Sequence, residues 1–344
     1  MREAMFYEKF KNKKVKCHLC ARECEILEGK TGLCRVRKNI NGKLYSLSYE
    51  KIISAVPNPI EKKPLYHFAP GSQSFSVAST GCNWRCKYCC NWDISQGEIQ
   101  GEKISPENLV KMAKEARCEG LSFTFTEPTI FYELSFETAR LSHKVGFYNT
   151  WVTNGYTLPE PIKKISPYID AVTVDFKGSG DEKFLRDFAF VPSAKPICRA
   201  LLEWKKQDIH IEITDLLVPK VGDSMKEVEK LVKWIRENLG EETPIHFLRF
   251  FPTHLVLNLP ETPIETLNEA HNIAKKLGMK YVYTGNVEDE KVNTFCPKCQ
   301  KLLIKRIWMQ TVEYKIKNGK CPYCGYKINI KGEKWIPTTL KVVN

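Results

Sequence analysis

A chain of 344 residues, 42% hydrophobic and 27% charged, is long enough for one large domain with small attachments. No stretch approaches the roughly 18 apolar residues that span a bilayer, and the charged Met1–Lys16 segment lacks the apolar centre of a secretion signal. The net charge of +13 gathers at the ends: residues 1–70 carry 15 Lys/Arg against 7 Asp/Glu, residues 291–344 carry 12 against 2, and the middle carries 26 against 31.

The first segment, residues 1–70, holds Cys17, Cys20, Cys24 and Cys34 in a C-x2-C-x3-C-x9-C pattern. Four thiolates default to zinc. An auxiliary iron–sulfur cluster is the alternative, although the spacing is not that of the bacterial ferredoxin run. His18 is an alternative ligand to one of these cysteines. Residues 71–290 then alternate strands and helices. The expected strands are Phe75–Ser79, Leu121–Thr126, Tyr148–Val152, Ala171–Phe176, Ile209–Leu217, Ile245–Phe250 and Lys280–Tyr283. Ser105-Pro106 reads as a helix N-cap with proline at the first turn. Asp223 or Ser224 opens a helix with Val228, Leu231, Val232, Ile235 and Leu239 on one face. Thr262-Pro263 opens another, which Gly278 ends. Repeated βα units imply a parallel sheet, so the fold class is α/β, a partial (β/α) barrel of about six parallel strands.

Residues 291–344 carry Cys296-Pro297-Lys298-Cys299 and Cys321-Pro322-Tyr323-Cys324. Two such pairs joined by a hairpin read as a zinc ribbon. The tight spacing of these thiols points to metal sites in a reducing cytoplasm rather than to disulfides. Cys90, Cys118 and Cys198 are left over and read as buried hydrophobes. The basic ends read either as a solvated lysine-rich surface or as a face for nucleic acid or an acidic partner.

The chemistry concentrates after the first barrel strand, where Cys82, Cys86 and Cys89 form a C-x3-C-x2-C run. A cubane cluster has four irons held by cysteine thiolates. Three thiolates in eight residues take three irons and leave the fourth open to a small molecule. A structural zinc site would be closed by a fourth ligand, and Cys90 is too near Cys89 to serve. In a barrel, chemistry sits at the C-terminal ends of the strands. There the sequence places Glu127, Asn154, Asp175 and Lys177, the last two sharing a strand face, with His246 on the sixth strand.

The triad, with an aromatic residue before its last cysteine, resembles the radical S-adenosylmethionine (SAM) superfamily. Cys17-His18-Leu19-Cys20 with Cys24 and Cys34, Pro59–Leu65, Cys89–Gln96, Tyr281–Val287 and the terminal cysteine pairs resemble the AmmeMemoRadiSam-system radical SAM enzymes, relatives of the pyruvate formate-lyase activating enzyme. The resemblance implies a [4Fe–4S] cluster on the triad. It also implies SAM as cofactor, reductive cleavage to a 5′-deoxyadenosyl radical, and hydrogen abstraction from a substrate the sequence does not name. For SAM contacts it implies Tyr88 at the adenine and Thr126-Glu127 in place of the Gly-Gly-Glu-Pro motif, whose glycines are absent. It further implies Asn154 where the family's Asp-Thr-Asn-Gly has lost its aspartate to Val152, Asp175 with Lys177 on the carboxylate, and His246 near the ribose. Implied partners are Memo-like and Amme-like proteins and a reductant such as ferredoxin or flavodoxin. Alternative readings are a tRNA- or nucleotide-modifying enzyme, a glycyl-radical-enzyme activating enzyme, and a non-catalytic iron–sulfur electron carrier.

Overall fold

Seven strands run parallel in a computed structural model that describes residues 1–341. They are β1 (Gln73–Ser79), β2 (Gly120–Phe123), β3 (Tyr148–Thr153), β4 (Ala171–Lys177), β5 (His210–Leu217), β6 (Ile245–Arg249) and β7 (Val282–Gly285). Each pairs with its neighbour in sequence. Helices α1 (Pro106–Glu115), α2 (Tyr132–Lys144), α3 (Pro159–Ile165), α4 (Lys195–Lys206), α5 (Met225–Asn238) and α6 (Ile264–Lys276) fill the connections. This is the α/β parallel-sheet architecture of a partial barrel. Ser105 caps α1 by accepting from the Asn108 N–H, with Pro106 in the first turn, a cap worth about 1 kcal/mol.

The two faces of the sheet differ in chemistry. Phe75, Val77, Leu121, Phe123, Trp151, Val172, Val174, Ile213 and Phe247 pack under the helices in the main core. The alternate positions, on the face away from the helices, are Ser74, Ser76, Ser122, Thr150, Thr173, Asp175, Glu212, Thr214 and His246, and all but the half-buried Asp175 are fully buried. They satisfy one another across strands: Ser122 Oγ lies 2.5 Å from Ser74 Oγ and 2.6 Å from Thr150 Oγ1. Buried hydroxyls without partners would each cost about 1–3 kcal/mol. The barrel interior is therefore polar, unlike the layered apolar filling of a closed (β/α)8 barrel.

Lys51–Pro59, which the sequence reading placed in the N-terminal segment, pairs antiparallel with β1, and Glu102–Lys103 follows it at the edge. Only Lys51 and Ile52 pair with that edge strand, so Pro57 and Pro59 sit where no ladder donor is needed. Two expected strands shift. The second ends at Phe123, not Thr126, because Phe125 turns to φ +65. The seventh starts at Val282, not Lys280.

Residues 2–46 form two small three-stranded antiparallel sheets ahead of the barrel. A buried bidentate ion pair clamps them to it: Arg37 reaches the Glu133 carboxylate of α2 at 2.9 and 3.3 Å, and the same groups hold the Met5 backbone. At the other end, Leu302–Ile307 and Gln310–Tyr314 form a hairpin through Trp308-Met309. Its core includes Leu303, Ile304 and Tyr314, together with Tyr66, Tyr281 and Tyr283 from the barrel side. Long-range bonds lace this end to residues 61–71: Arg306 donates to Tyr66 O at 2.7 Å, His67 Nδ1 meets Asn329 O at 2.8 Å, and Thr311 donates to Glu61. No helix among the described residues is long and apolar enough to cross a membrane.

Candidate active site

The loop after β1 bends at Gly81, where φ is +110 and a Cβ would meet Val36 at 2.8 Å and Cys34 O at 3.2 Å. That close approach requires glycine. The chain then presents Cys82, Cys86 and Cys89. Cys82 Sγ already accepts from the Trp84 N–H at 3.3 Å and from Asn154 Nδ2 at 3.8 Å, and Cys89 Sγ sits 3.3 Å from Ser95 Oγ. Burial holds all three thiols up, Cys86 to about 12, so a metal must displace their protons. Lys87 N donates to Phe188 O, and Leu255 N donates to Lys87 O, pinning the loop from two sides. Asn91 donates to Phe125 O at 2.7 Å.

Asp175 and Lys177 meet at 3.0 Å, as their shared face requires. Burial works against the Lys177 ammonium, but Asp175 and then Cys86 outweigh it and raise its pKa. Lys177 therefore faces the cysteine loop as a fixed cation. Tyr88 is buried beside Cys86 and stacks on Phe184 at 5.4 Å. Thr126 donates to Ser79 O at 2.7 Å, tying the β2 loop to the end of β1.

Glu127 is enclosed rather than open. It accepts from Thr129 N and Oγ1, Thr153 Oγ1 and Asn154 N. It thereby fixes the β3 loop that carries Asn154. Burial pushes its carboxyl up against those bonds. Asn154 divides its amide between Cys82 and Asn83 Oδ1, the latter at 2.7 Å.

His246 belongs to a hub the sequence reading did not assemble. Glu212 accepts from the His67 N–H at 2.7 Å and lies 3.0 Å from His210 Nε2 and 2.8 Å from His246 Nε2. His67 Nε2 meets the Tyr283 hydroxyl at 2.6 Å. The available signal was His210, Glu212 and Thr214 at period two on β5. The hub borders a cavity of about 410 Å³ lined by Lys62, Tyr66, His246, Phe251, Asn286 and Trp308. Lys63, also unforeseen, is buried with its ammonium 4.8 Å from the Phe125 ring centre, and burial lowers its pKa to about 7.

The hub has a pH signature. Burial lowers His67 from about 6.5 to about 3. A histidine held neutral in the fold contributes stability in full above its unfolded pKa, and loses it as pH falls from there toward the folded value. Between pH 7.5 and 5, stability is expected to drop by on the order of 2 kcal/mol from this residue. His246 is shifted in the same direction, also by burial. Urea midpoints at the two pH values should therefore differ, and less so in His67→Gln. Equal midpoints in the parent protein would exclude a neutral buried His67.

Among the described residues, the sulfurs of Cys296, Cys299, Cys321 and Cys324 all lie within 4.8 Å of one another. The four N-terminal cysteines instead surround a cavity of about 20 Å³. His18 turns away from them toward Glu8 and Glu23. Cys118 is buried and Cys198 half-buried, but Cys90 is exposed. Its neighbour Cys89 turns inward, and the next side chain along this loop faces outward.

The radical SAM superfamily model matches residues 76–235, which run from the triad strand into α5. An uncharacterized protein of Methanocaldococcus jannaschii is 42% identical over 344 residues, covering 96% of this chain and 99% of that protein. The chain belongs to the radical SAM superfamily. A putative glycyl-radical enzyme activating enzyme of the same organism is 25% identical over 168 residues, 48% of this chain and 63% of that protein. The structure of Streptococcus suis SuiB bound to S-adenosylmethionine shares the fold, with a TM-score of 0.50 and 13% identity over 66% of this chain and 55% of that one.

As a radical SAM enzyme the chain uses SAM and an iron–sulfur cluster. The residues fit that group. Three half-buried thiols share one loop, two N–H groups already point at Cys82 Sγ, and a lysine faces the loop.

Proposed function

We propose that Cys82, Cys86 and Cys89 hold a [4Fe–4S] cluster and that the barrel mouth directs hydrogen abstraction from a substrate seated under the C-terminal hairpin. The observation that carries this is the convergence of Cys82, Asn154, Asp175 and Lys177 at the strand ends. Bound together, cluster and SAM supply one-electron cleavage to methionine and a 5′-deoxyadenosyl radical. Lys177 keeps one N–H on Asp175 and offers its other donors to the SAM carboxylate. Asn154 stands at the same mouth for the amino group. Tyr88 shields the cluster loop, and Glu127 acts through the β3 loop as a positioning residue. The 410 Å³ cavity, with Lys62 and Trp308 at its rim, receives the substrate. Its mixed lining of aromatic and polar groups is that of a ligand site.

We assign zinc to the C-terminal cysteines because Cys296–Cys324 and Cys299–Cys321 approach to 3.6 Å. Four thiolates at about 2.3 Å from one tetrahedral ion stand close to 3.8 Å apart. The sequence resemblance supports Memo-like and Amme-like proteins as partners, and the fourteen free thiols suit a reducing cytoplasm. A nucleic-acid substrate is the second reading, favoured by the basic C-terminal segment. RNA affinity falling steeply with salt would favour it over a protein or metabolite substrate.

The test is product analysis. Anaerobically reconstituted protein with dithionite and SAM should form 5′-deoxyadenosine and methionine in equal amounts, and absence of the nucleoside overturns the proposal. Lys177→Ala should weaken SAM binding about ten- to a hundredfold, as expected for one charge-assisted contact, with iron content unchanged. An affinity within twofold of the parent would remove Lys177 from the cofactor site.

A further inference from the structure

The segment Glu61-Lys62-Lys63-Pro64 has no part in the cysteine loop or the cofactor contacts. A single turn, Ile60–Lys62, sets its side chains and is closed by the Lys63 N–H on Ile60 O at 2.9 Å. The turn leaves Lys62 exposed and buries Lys63 to 1% exposure. Thr173 on β4 donates to the Lys63 carbonyl, so the segment crosses the polar face of the sheet. Both ammonium groups rest on the ring of Phe125, Lys62 at 5.7 Å and Lys63 at 4.8 Å from its centre.

Among the described residues neither lysine forms an ion pair. Lys62 meets the ring, and Lys63 adds one bond, to the neutral Asn58 Oδ1 at 3.2 Å. The charge that acts on Lys63 is Lys62, of the same sign. A buried ammonium normally keeps a counter-ion, because leaving water without one is costly. Lys177 shows that ordinary solution, with Asp175 at 3.0 Å. The counter-charge missing here has a place to arrive. Lys62 lines the cavity of about 410 Å³, and Lys63 shares its ring. The carboxylates nearby are engaged elsewhere. Glu61 accepts from the Gly71 N–H and the Thr311 hydroxyl, with Arg306 as the cation acting on it. Glu212 is held by His67, His210 and His246. Tyr66, Phe251 and Trp308 give the cavity aromatic walls.

We propose that Lys62 and Lys63 form an anion site at the wall of this cavity, so that the substrate carries a carboxylate or phosphate group on an apolar, ring-sized body. Lys62 makes the direct contact. Lys63 adds a second positive charge from a buried position, where salt screens it little. This rests on the reading of the cavity as the substrate site.

The test uses full-length reconstituted protein without SAM and three probes that each carry one ring: phenyl phosphate, phenylacetate and the neutral benzyl alcohol. Dissociation constants are measured by calorimetry for the parent, Lys62→Ala and Lys63→Met. At least one anion should bind about ten- to a hundredfold more tightly than the alcohol, as one charge-assisted contact predicts, and Lys62→Ala should remove most of that advantage. The tighter of the two anions names the group. Lys63→Met should weaken anion binding yet leave the ligand-free protein at least as stable as the parent, because it removes a buried charge without a partner. A merely structural lysine would lose stability and leave the affinities unchanged. Burial brings Lys63 to about 7, so affinity for phenylacetate, ionised throughout, should fall about tenfold from about pH 6 to pH 8. Glu61 and His246 line the same cavity as Lys62, and a slope that survives in Lys63→Met belongs to one of them and overturns Lys63 as the second cation. Equal affinities for the three probes, no binding of either anion, or an unaltered preference in Lys62→Ala overturns the site. Lys62 is exposed, so that variant decides even if Lys63→Met does not fold. Formation of 5′-deoxyadenosine is measured on the same parent preparation with SAM and dithionite. If the nucleoside forms and the anions show no preference, this inference alone fails. If it does not form, the cluster reading fails whatever the anions do.

Discussion

Replacing Cys82, Cys86 and Cys89 together by alanine is expected to abolish formation of 5′-deoxyadenosine from SAM. The three half-buried thiols share one loop. Cys90, adjacent in sequence, is exposed, so it is not placed to substitute. Loss of three ligands leaves nothing to anchor the irons, and without an anchored cluster there is no open iron site for SAM and no route for the electron. The fold should persist, because the loop is also held by Lys87, Leu255 and Asn91 through hydrogen bonds that do not involve sulfur. Circular dichroism of the variant should therefore match that of the parent apoprotein, while product falls below detection. Residual cleavage above one hundredth of the parent rate would mean that the reacting cluster sits elsewhere.

The second large effect is expected at the clamp between the N-terminal sheets and the barrel. Arg37 and Glu133 are each 2% exposed, and their pairing is bidentate. Removing one partner of a buried pair leaves the other charge uncompensated, which costs about 3–5 kcal/mol. Glu133→Ala should lower the stability from urea denaturation by that amount. The double replacement Arg37→Met/Glu133→Leu should recover most of it, since neither charge then remains buried. A loss below about 1 kcal/mol in the single variant would show that water reaches Arg37. The same variant bears on the cysteines, because Arg37 lines the N-terminal cavity and its charge favours the Cys17 and Cys34 thiolates against their burial. Loosening it should weaken metal retention there and leave the C-terminal cysteines loaded.

Much of this was legible in the chain because it depends on local spacing. C-x3-C-x2-C, the paired C-x2-C turns, the Ser105-Pro106 cap and the Asp175–Lys177 period are each settled within a few residues, and the sheet places the last pair 3.0 Å apart. What was not legible depends on distant partners. Glu212 draws on His67 and His246, 145 and 34 positions away, and nothing near Glu212 announces either. Lys51–Pro59 has two prolines and was not among the expected strands, yet it pairs along β1, and its prolines are tolerated because only Lys51 and Ile52 face a second strand. Phe125 occupies a left-handed conformation that bulky residues rarely adopt. Its ring lies against Lys62 and Lys63, and its carbonyl accepts from Asn91. The four N-terminal cysteines are legible as a set from their spacing, but that Arg37 and Asn83 share their cavity is visible only in the fold.

The lacing of residues 61–71 to the C-terminal hairpin has a consequence for synthesis. Arg306 and Tyr66 are 240 positions apart, and translation proceeds at roughly 5–20 residues per second. Tyr66, His67 and Tyr283 therefore wait for their cover while the rest of the chain is made, a delay of roughly ten to fifty seconds for the earliest of them. In that interval the nascent barrel shows ribosome and chaperones an aromatic surface that the finished molecule hides. Contacts this remote in sequence also slow the final closure. Residues 302–331 thus decide when the nascent chain ceases to be a substrate for quality control.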